Sequence, residues 1–380
     1  MRLVFCLYKY FPYGGLQRDC LRIAQACMAR GHRVQVLALE WQGARPPGLD
    51  IHIVAARGLT GPARYRRFSA ALRRHLAATP ADAVVGFNKM PGLDVYYAAD
   101  PCYAHKAHTQ RGALYRLLPR YRHFAGYEAA VFAADADTRI LMISDLQKPL
   151  FQRHYGTPEE RFHRLPPGID PGRRAPPDSQ AKAIRVAFRE EFGIAETQPL
   201  LLSIGSGFRT KGLDRTLRGL ASLPPALAST HLFVVGQDDP AAFRRLARRL
   251  GVSERVRFFA GRDDVPRFLQ GADLLVHPAY SENTGTVLLE ALVAGLPVLT
   301  TANCGYAPHV AESAAGEVLP NPFEQTALDR ALVRLLTADL SSLRRQALAW
   351  AEQTDIYRLP ERAAELIEQL VPAGERPCAW

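Results

Sequence analysis

Short apolar runs of strand length recur along the chain, and most are separated by segments whose apolar residues fall at helical spacing. In the first part they lie at 2–8, 34–39, 83–87, 95–99 and 140–144; in the second, at 200–204, 232–235, 256–259, 274–277 and 298–301. A run that is apolar at every position is buried on both faces. Strands that alternate with helices pair in parallel, because a parallel neighbour is reached only by a crossover. The first forty residues show one such unit: a strand at 2–8, a turn at 11–15, a helix at 16–30 ended by Gly31, and the next strand at 34–39. The fold class is therefore α/β with parallel sheets covered on both sides.

The alternation is interrupted once, at Leu165-Pro166-Pro167-Gly168-Ile169-Asp170-Pro171, where the prolines hold the chain extended and no regular element can pass. With 380 residues the chain is long for one core and suits two doubly wound domains, divided at that segment. More helix is expected from about Glu324 to Leu370. Folds of this kind bind ligands at the carboxyl ends of their strands, which puts the expected active site in a cleft between the domains.

Hydrophobic residues make up 48% and charged residues 22% of the chain, a globular balance. No apolar run reaches the roughly 18 residues that span a bilayer, and the start is interrupted by Lys9 and Pro12 too soon for a signal peptide. A cytoplasmic location is expected. Cysteines 6, 20, 27, 102, 304 and 378 are scattered, which fits neither a zinc site nor a disulfide framework. The net charge of +11 calls for an anionic partner, and nucleic acid, anionic lipid or a phosphorylated substrate would each answer it.

Three segments carry chemistry. The run Ser281-Glu282-Asn283-Thr284-Gly285-Thr286, continuing to Glu290-Ala291, follows the strand ending at His277-Pro278 and opens a helix. Backbone N–H groups from Gly285 onward favour a diphosphate. Glu282 in the loop can accept from sugar hydroxyls, and Glu290, about two turns in, can hold a ribose. An ordinary capped helix with a surface glutamate would look the same. The second segment, Gly205-Ser206-Gly207-Phe208-Arg209-Thr210-Lys211-Gly212, has glycines for close approach to phosphate and two cations, Arg209 and Lys211, as donors. The third is Gly14-Gly15 at the first strand-to-helix turn, a tight turn or the far side of a diphosphate cradle.

Together these segments resemble glycosyltransferase family 4, with a glycine loop, a basic loop and a Glu-x7-Glu motif (Glu282 to Glu290) in that order. The runs 7–19 and 86–95, with Pro166-Pro167-Gly168-Ile169 and Cys304-Gly305-Tyr306-Ala307, are similar to the lipopolysaccharide-core glucosyltransferases within it. The resemblance implies the GT-B fold, two Rossmann-like domains facing each other across a cleft. One domain would cover 1–165, face acceptor and membrane, and receive a last helix at about 357–380. The other, 166–356, would bind the nucleotide sugar. It also implies a retaining, metal-independent transfer from a UDP-sugar, glucose by default, to a heptose of the inner core in α-1,3 linkage, with no cofactor.

By position, Gly14, Gly15, Arg173, Ser206, Arg209 and Lys211 would surround the diphosphate, and Arg262 with Asp263 the uracil. Glu282, Asn283, Thr284, Gly285 and Thr286 would surround sugar and phosphate, with Glu290 on the ribose. Lys211 and Glu282 would carry catalysis, and Asp19 and Asp100 would face the acceptor. Two departures matter. Ser206 stands where many members have arginine, and Asn283-Thr284 replaces an Ala-Ala pair. The second suits an N-acetylhexosamine donor or a different hydroxyl pattern. Another lipid-linked acceptor, or a UDP-sugar epimerase of the same fold, are the alternatives.

The stretch 103–132 holds Lys106, Arg111, Arg116, Arg120 and Arg122 against one acid, Glu128, with interleaved tyrosines, phenylalanines and leucines. That pattern suits an anionic membrane surface, with the enzyme peripheral on the inner face of the inner membrane. A solvated basic helix would also produce it. No nucleic-acid-binding signature accompanies it. Asp135-Ala136-Asp137 reads as a solvated turn, and His105 with His108 lacks a third metal ligand in the sequence.

Overall fold

The structure is a computed structural model that describes residues 1–12 and 14–371; Tyr13, Cys378 and the end of the segment expected to be helical at about 357–380 lie outside it. The chain divides into two compact units. One is Met1–Pro167 together with the segment from Arg358 onward, and the other is Gly168–Tyr357.

The first unit is built on a seven-stranded sheet: β1 (Arg2–Tyr10), β2 (Arg33–Trp41), β3 (Asp50–Ile53), β4 (Ala83–Gly86), β5 (Val95–Ala98), β6 (Arg139–Met142) and β7 (Phe162–Arg164). Its order is β3-β2-β1-β4-β5-β6-β7, and every pair is parallel. The second unit has β8 (Leu200–Ile204), β9 (His231–Val235), β10 (Val256–Phe259), β11 (Leu274–His277), β12 (Val298–Thr301) and β13 (Gly316–Leu319). Its order, β10-β9-β8-β11-β12-β13, is again parallel throughout. In each sheet the order reverses beside the first strand, between β1 and β4 and between β8 and β11. That reversal opens a crevice at the carboxyl ends of those strands.

The uninterrupted apolar runs follow from burial on both faces. Along β1, Leu3, Phe5 and Leu7 enter one core while Val4, Cys6 and Tyr8 enter the other. Along β8, Leu200 and Leu202 alternate with Leu201 in the same way. Each such side chain contributes about 1.5–3 kcal/mol when fully buried.

Three strands, β3, β7 and β13, were not legible as apolar runs, and all are sheet edges. An edge strand has a single neighbour and keeps residues toward solvent; in β3 none of Asp50, Ile51, His52 or Ile53 is fully buried. Helix fills the region from Glu324 to Leu370 as three pieces, Gln325–Thr337, Leu340–Gln353 and Leu359–Leu370. Among the described residues no helix is long and apolar enough to cross a membrane.

The last helix belongs to the first unit. Leu359, Ala363, Ala364, Leu366 and Ile367 join the core formed by Leu3, Phe5, Ile23 and Cys27. At its end Glu368 takes a two-pronged bond from Arg30, 2.8 and 2.5 Å, and lies 2.5 Å from His32 Nε2. The Arg30 guanidinium and the His32 ring hold the Glu368 carboxyl down at about 2. Ile367→Ala removes a fully buried side chain from this contact and is expected to cost about 2–4 kcal/mol. Chemical denaturation measures it, and an unchanged midpoint would mean the helix contributes nothing to that core.

Candidate active site

The loops that follow β8 and β11, the two strands at the reversal of the second sheet, are laced together. Gly205, Gly207 and Gly212 have φ of 127°, 80° and 75°, a region that favours glycine. At Gly212 a Cβ would also fall 2.1 Å from the Pro278 carbonyl oxygen, so the two backbones meet where no side chain fits. Tyr280 N–H donates to the Thr210 carbonyl at 2.8 Å. The Arg215 guanidinium donates to the Pro278 carbonyl at 3.0 Å and is sandwiched by the Tyr280 and Phe323 rings, at 3.6 and 3.7 Å.

This lacing brings the Lys211 ammonium onto the Glu282 carboxylate as an ion pair. Burial lowers the Lys211 pKa from its ordinary value. The backbone of Glu282 is held as firmly: its N–H donates to the Asn303 carbonyl at 3.0 Å, and its carbonyl accepts from Gly305 N–H at 3.1 Å. Beneath the pair lies His277, 1% exposed, with Nε2 3.7 Å from Glu282 Oε2. The sequence marked His277 only as the end of a strand; its proximity to a loop glutamate is a tertiary fact.

Gly285, with φ of 85°, starts the helix Thr286–Val293. Glu290 lies four residues after Thr286, just over one turn in rather than two. It is the single ionisable side chain in the buried run Leu288–Val293, and Arg173 answers it at 3.5 Å from the short turn Pro171–Arg173. The Thr284 carbonyl accepts from Tyr306 N–H at 2.7 Å, which fixes the loop that carries Asn283. Arg209 is exposed. Ser206 Oγ accepts from Gln237 N–H at 3.1 Å and so braces the loop after β9. Arg262 forms a two-pronged pair with Asp264 at 2.6 and 2.8 Å; Asp263 is exposed beside it.

The remaining candidates stand in the first unit, around its own sheet reversal. A Cβ at Gly14 would overlap the Gln17 amide, which would have to move to admit it, and Gly15 begins the helix Gly15–Ala29. Asp19 accepts from the Tyr97 hydroxyl at 2.7 Å, and desolvation raises its pKa despite that bond. Desolvation raises Asp100 too, against the pull of Lys89. Lys89 bonds Glu128 at 2.5 Å and the Pro101 carbonyl at 2.8 Å.

Glu128, the one acid of 103–132, is fully buried. Besides Lys89 it receives Tyr103 N–H at 2.7 Å, Ala104 N–H at 2.9 Å and the Tyr155 hydroxyl at 2.7 Å. It thus anchors the helices Tyr103–Gln110 and Pro119–Phe132 to the sheet. The short turn between them projects Leu114, Leu117 and Leu118, 78%, 63% and 48% exposed, among the exposed Arg111, Arg116, Arg120 and Arg122. Asp135 and Asp137 are exposed in a turn. His105 and His108 do acquire a third ring, His154, whose Nε2 lies 3.5 Å from His105 Nδ1. Among the described residues no group of three His, Cys, Asp or Glu side chains is arranged to hold a metal ion.

The chain matches two family models, Glycosyltransferase Family 4 over residues 13–173 and Glycosyl transferases group 1 over residues 185–353. It is 50% identical over 375 residues to the lipopolysaccharide glucosyltransferase WaaG of Escherichia coli (strain K12), which covers 97% of this chain and 98% of that one. A crystal structure of WaaG, described as a glycosyltransferase involved in lipopolysaccharide biosynthesis, superposes with a TM-score of 0.88 at 48% identity, covering 96% and 99% of the two chains. Anabaena Alr3699/HepE in complex with UDP-glucose shares the fold, with a TM-score of 0.72 at 18% identity over 97% and 100%.

The contact between the two loops is testable without a ligand. Gly207→Ala and Gly212→Ala both place a side chain at positive φ, at a cost of order 1 kcal/mol. Only Gly212→Ala also drives a Cβ into the Pro278 backbone, whereas nothing lies within 4 Å at Gly207. Gly212→Ala is expected to lower the melting temperature clearly further. Equal losses would show that the loops do not touch as described.

Proposed function

This chain belongs to glycosyltransferase family 4 and has the GT-B fold, and from that membership we propose that it transfers glucose from UDP-glucose to a heptose of the lipopolysaccharide inner core. The observation that best supports this reading is the Lys211–Glu282 pair, held where the loops after β8 and β11 are laced at the sheet reversal. A cation and a carboxylate at one point suit a substrate that presents a diphosphate next to sugar hydroxyls.

In this reading Lys211 and Arg209 take the diphosphate, the N–H groups at the start of Thr286–Val293 add to them, and Glu282 accepts from the sugar hydroxyls. Glu290, oriented by Arg173, holds the ribose, and Arg262 and Asp263 flank the uracil. Asp19 and Asp100 serve the acceptor. The acceptor hydroxyl attacks the anomeric carbon from the face that UDP leaves. The bond from that carbon to the β-phosphate oxygen breaks, and the hydroxyl proton passes to that phosphate, so configuration is retained and the new linkage is α-1,3. Lysine and arginine supply the charge stabilisation that a metal supplies elsewhere.

Asn283 and Thr284 beside Glu282 favour a second reading for the donor, an N-acetylhexosamine. A different lipid-linked acceptor, or epimerisation of the UDP-sugar, are the other outcomes that the assay below separates. The exposed leucines and arginines of 111–122 lie on a cytoplasmic enzyme held at the inner face of the inner membrane, where a lipid-anchored acceptor is presented.

UDP release is to be measured with UDP-glucose, UDP-N-acetylglucosamine and UDP-N-acetylgalactosamine, with EDTA, and with or without a heptose-terminated core acceptor. Release is expected to need the acceptor, to be fastest with UDP-glucose and to survive EDTA. Lys211→Ala should slow it roughly 100-fold or more. Release indifferent to acceptor, or none from any donor, removes the proposed reaction. Neutralising Arg116, Arg120 and Arg122 together should weaken binding to anionic liposomes, by about 1 kcal/mol per charge lost. Cosedimentation equal to the unmodified protein's would exclude that surface.

A further inference from the structure

His277 is a buried polar group beside the Lys211–Glu282 pair that the reaction above leaves unused. Its ring is 1% exposed, and among the described residues neither nitrogen has a hydrogen-bond partner. Orphaned buried nitrogens of this kind carry a desolvation cost and call for a reason. Burial, and then the neighbouring Lys211 charge, push its pKa down to about 3, so the ring is neutral with one N–H to donate. The carbonyl of His277 is tied on its strand by the Thr300 hydroxyl at 3.0 Å, which leaves only the ring to adjust.

Glu282 is an acceptor close to this ring. Nε2 lies 3.7 Å from its carboxylate, about 0.8 Å longer than an ordinary N–H···O bond. Lys211 satisfies that carboxylate now, and in the reading above Lys211 is also one of the two cations that take the diphosphate. One ammonium cannot give full strength to both. When it turns to phosphate, Glu282 would be left largely buried without its cation. A neutral imidazole donor beneath it fills that need without bringing a competing positive charge to the diphosphate.

We propose that His277 is a positioning residue for Glu282, donating Nε2–H to its carboxylate once Lys211 engages the diphosphate, and so holding Glu282 toward the sugar hydroxyls. This rests on the reading of Glu282 as the sugar-holding residue. The role is specific to the sugar half of the donor: UDP alone, which lacks those hydroxyls, does not need it.

Calorimetry with UDP and with UDP-glucose tests this on the full chain, comparing the unmodified protein with His277→Leu, His277→Gln and Glu282→Gln. The quantity read is the ratio of the two affinities. His277→Leu is expected to leave UDP binding within about twofold and to weaken UDP-glucose roughly tenfold or more, as Glu282→Gln does. His277→Gln, whose amide N–H can reach where Nε2 stands, should restore most of the difference. His277→Leu with the original ratio overturns the proposal. So does equal weakening of UDP and UDP-glucose, which marks a structural role, and so does a Gln variant as impaired as the Leu one. An unmodified protein that binds neither nucleotide, or one whose ratio Glu282→Gln leaves unchanged, instead sinks the reading of the donor site and takes this inference with it.

Discussion

Gly212 and the carbonyl of Pro278 meet at a distance that only a Cα without a Cβ allows, and the second unit's candidate site is arranged around that contact. Because the backbones touch, the loops after β8 and β11 run side by side, and the hydrogen bond from Tyr280 to Thr210 and the Arg215 clamp hold them there. Lys211 and Glu282 then have little choice but to pair. A side chain at that glycine would separate the loops, and a loose cation and a loose carboxylate would each be better solvated by water. Close packing of backbone, made possible by one residue type, thus precedes the electrostatics.

Parallel pairing is the second constraint, and it acts over each whole sheet. Every connection must return along the face, so all loops that leave the strands gather at one edge. At the reversals the neighbours of that edge diverge, and the candidate side chains collect there: Lys211 and Glu282 in one unit, Asp19, Asp100 and Lys89 in the other. The scaffold beneath is apolar on both faces, which keeps strand ends rigid where side chains must be held within fractions of an ångström.

Charge is distributed by the same logic. The chain carries +11, yet among the described residues two of its most deeply buried acids are answered locally. Glu290 has Arg173, and Glu128 has Lys89, two backbone N–H groups and a tyrosine hydroxyl. Sinking Glu128 into the core removes the one acid of 103–132 from the surface, so that region shows cationic, polar and leucine side chains to solvent and no carboxylate. The surface character there comes from the burial of a single carboxylate as much as from the number of cations.

The strands buried on both faces, the break near Pro166-Pro167 and the three glycine or glutamate loops were legible in the sequence, because apolar periodicity, proline and glycine act on the backbone within a few residues. The family resemblance rests on those same local runs. The edge strands β3, β7 and β13 were not legible, since half-exposed strands lack the apolar signal. Nor were His277 beneath Glu282, the pairing of Arg262 with Asp264, or His154 beside His105. Strand order decides which loops become neighbours, and backbone packing decides how closely they approach. Neither is written within any one segment, so sequence alone determined the elements and their loops, and tertiary structure alone chose the partners.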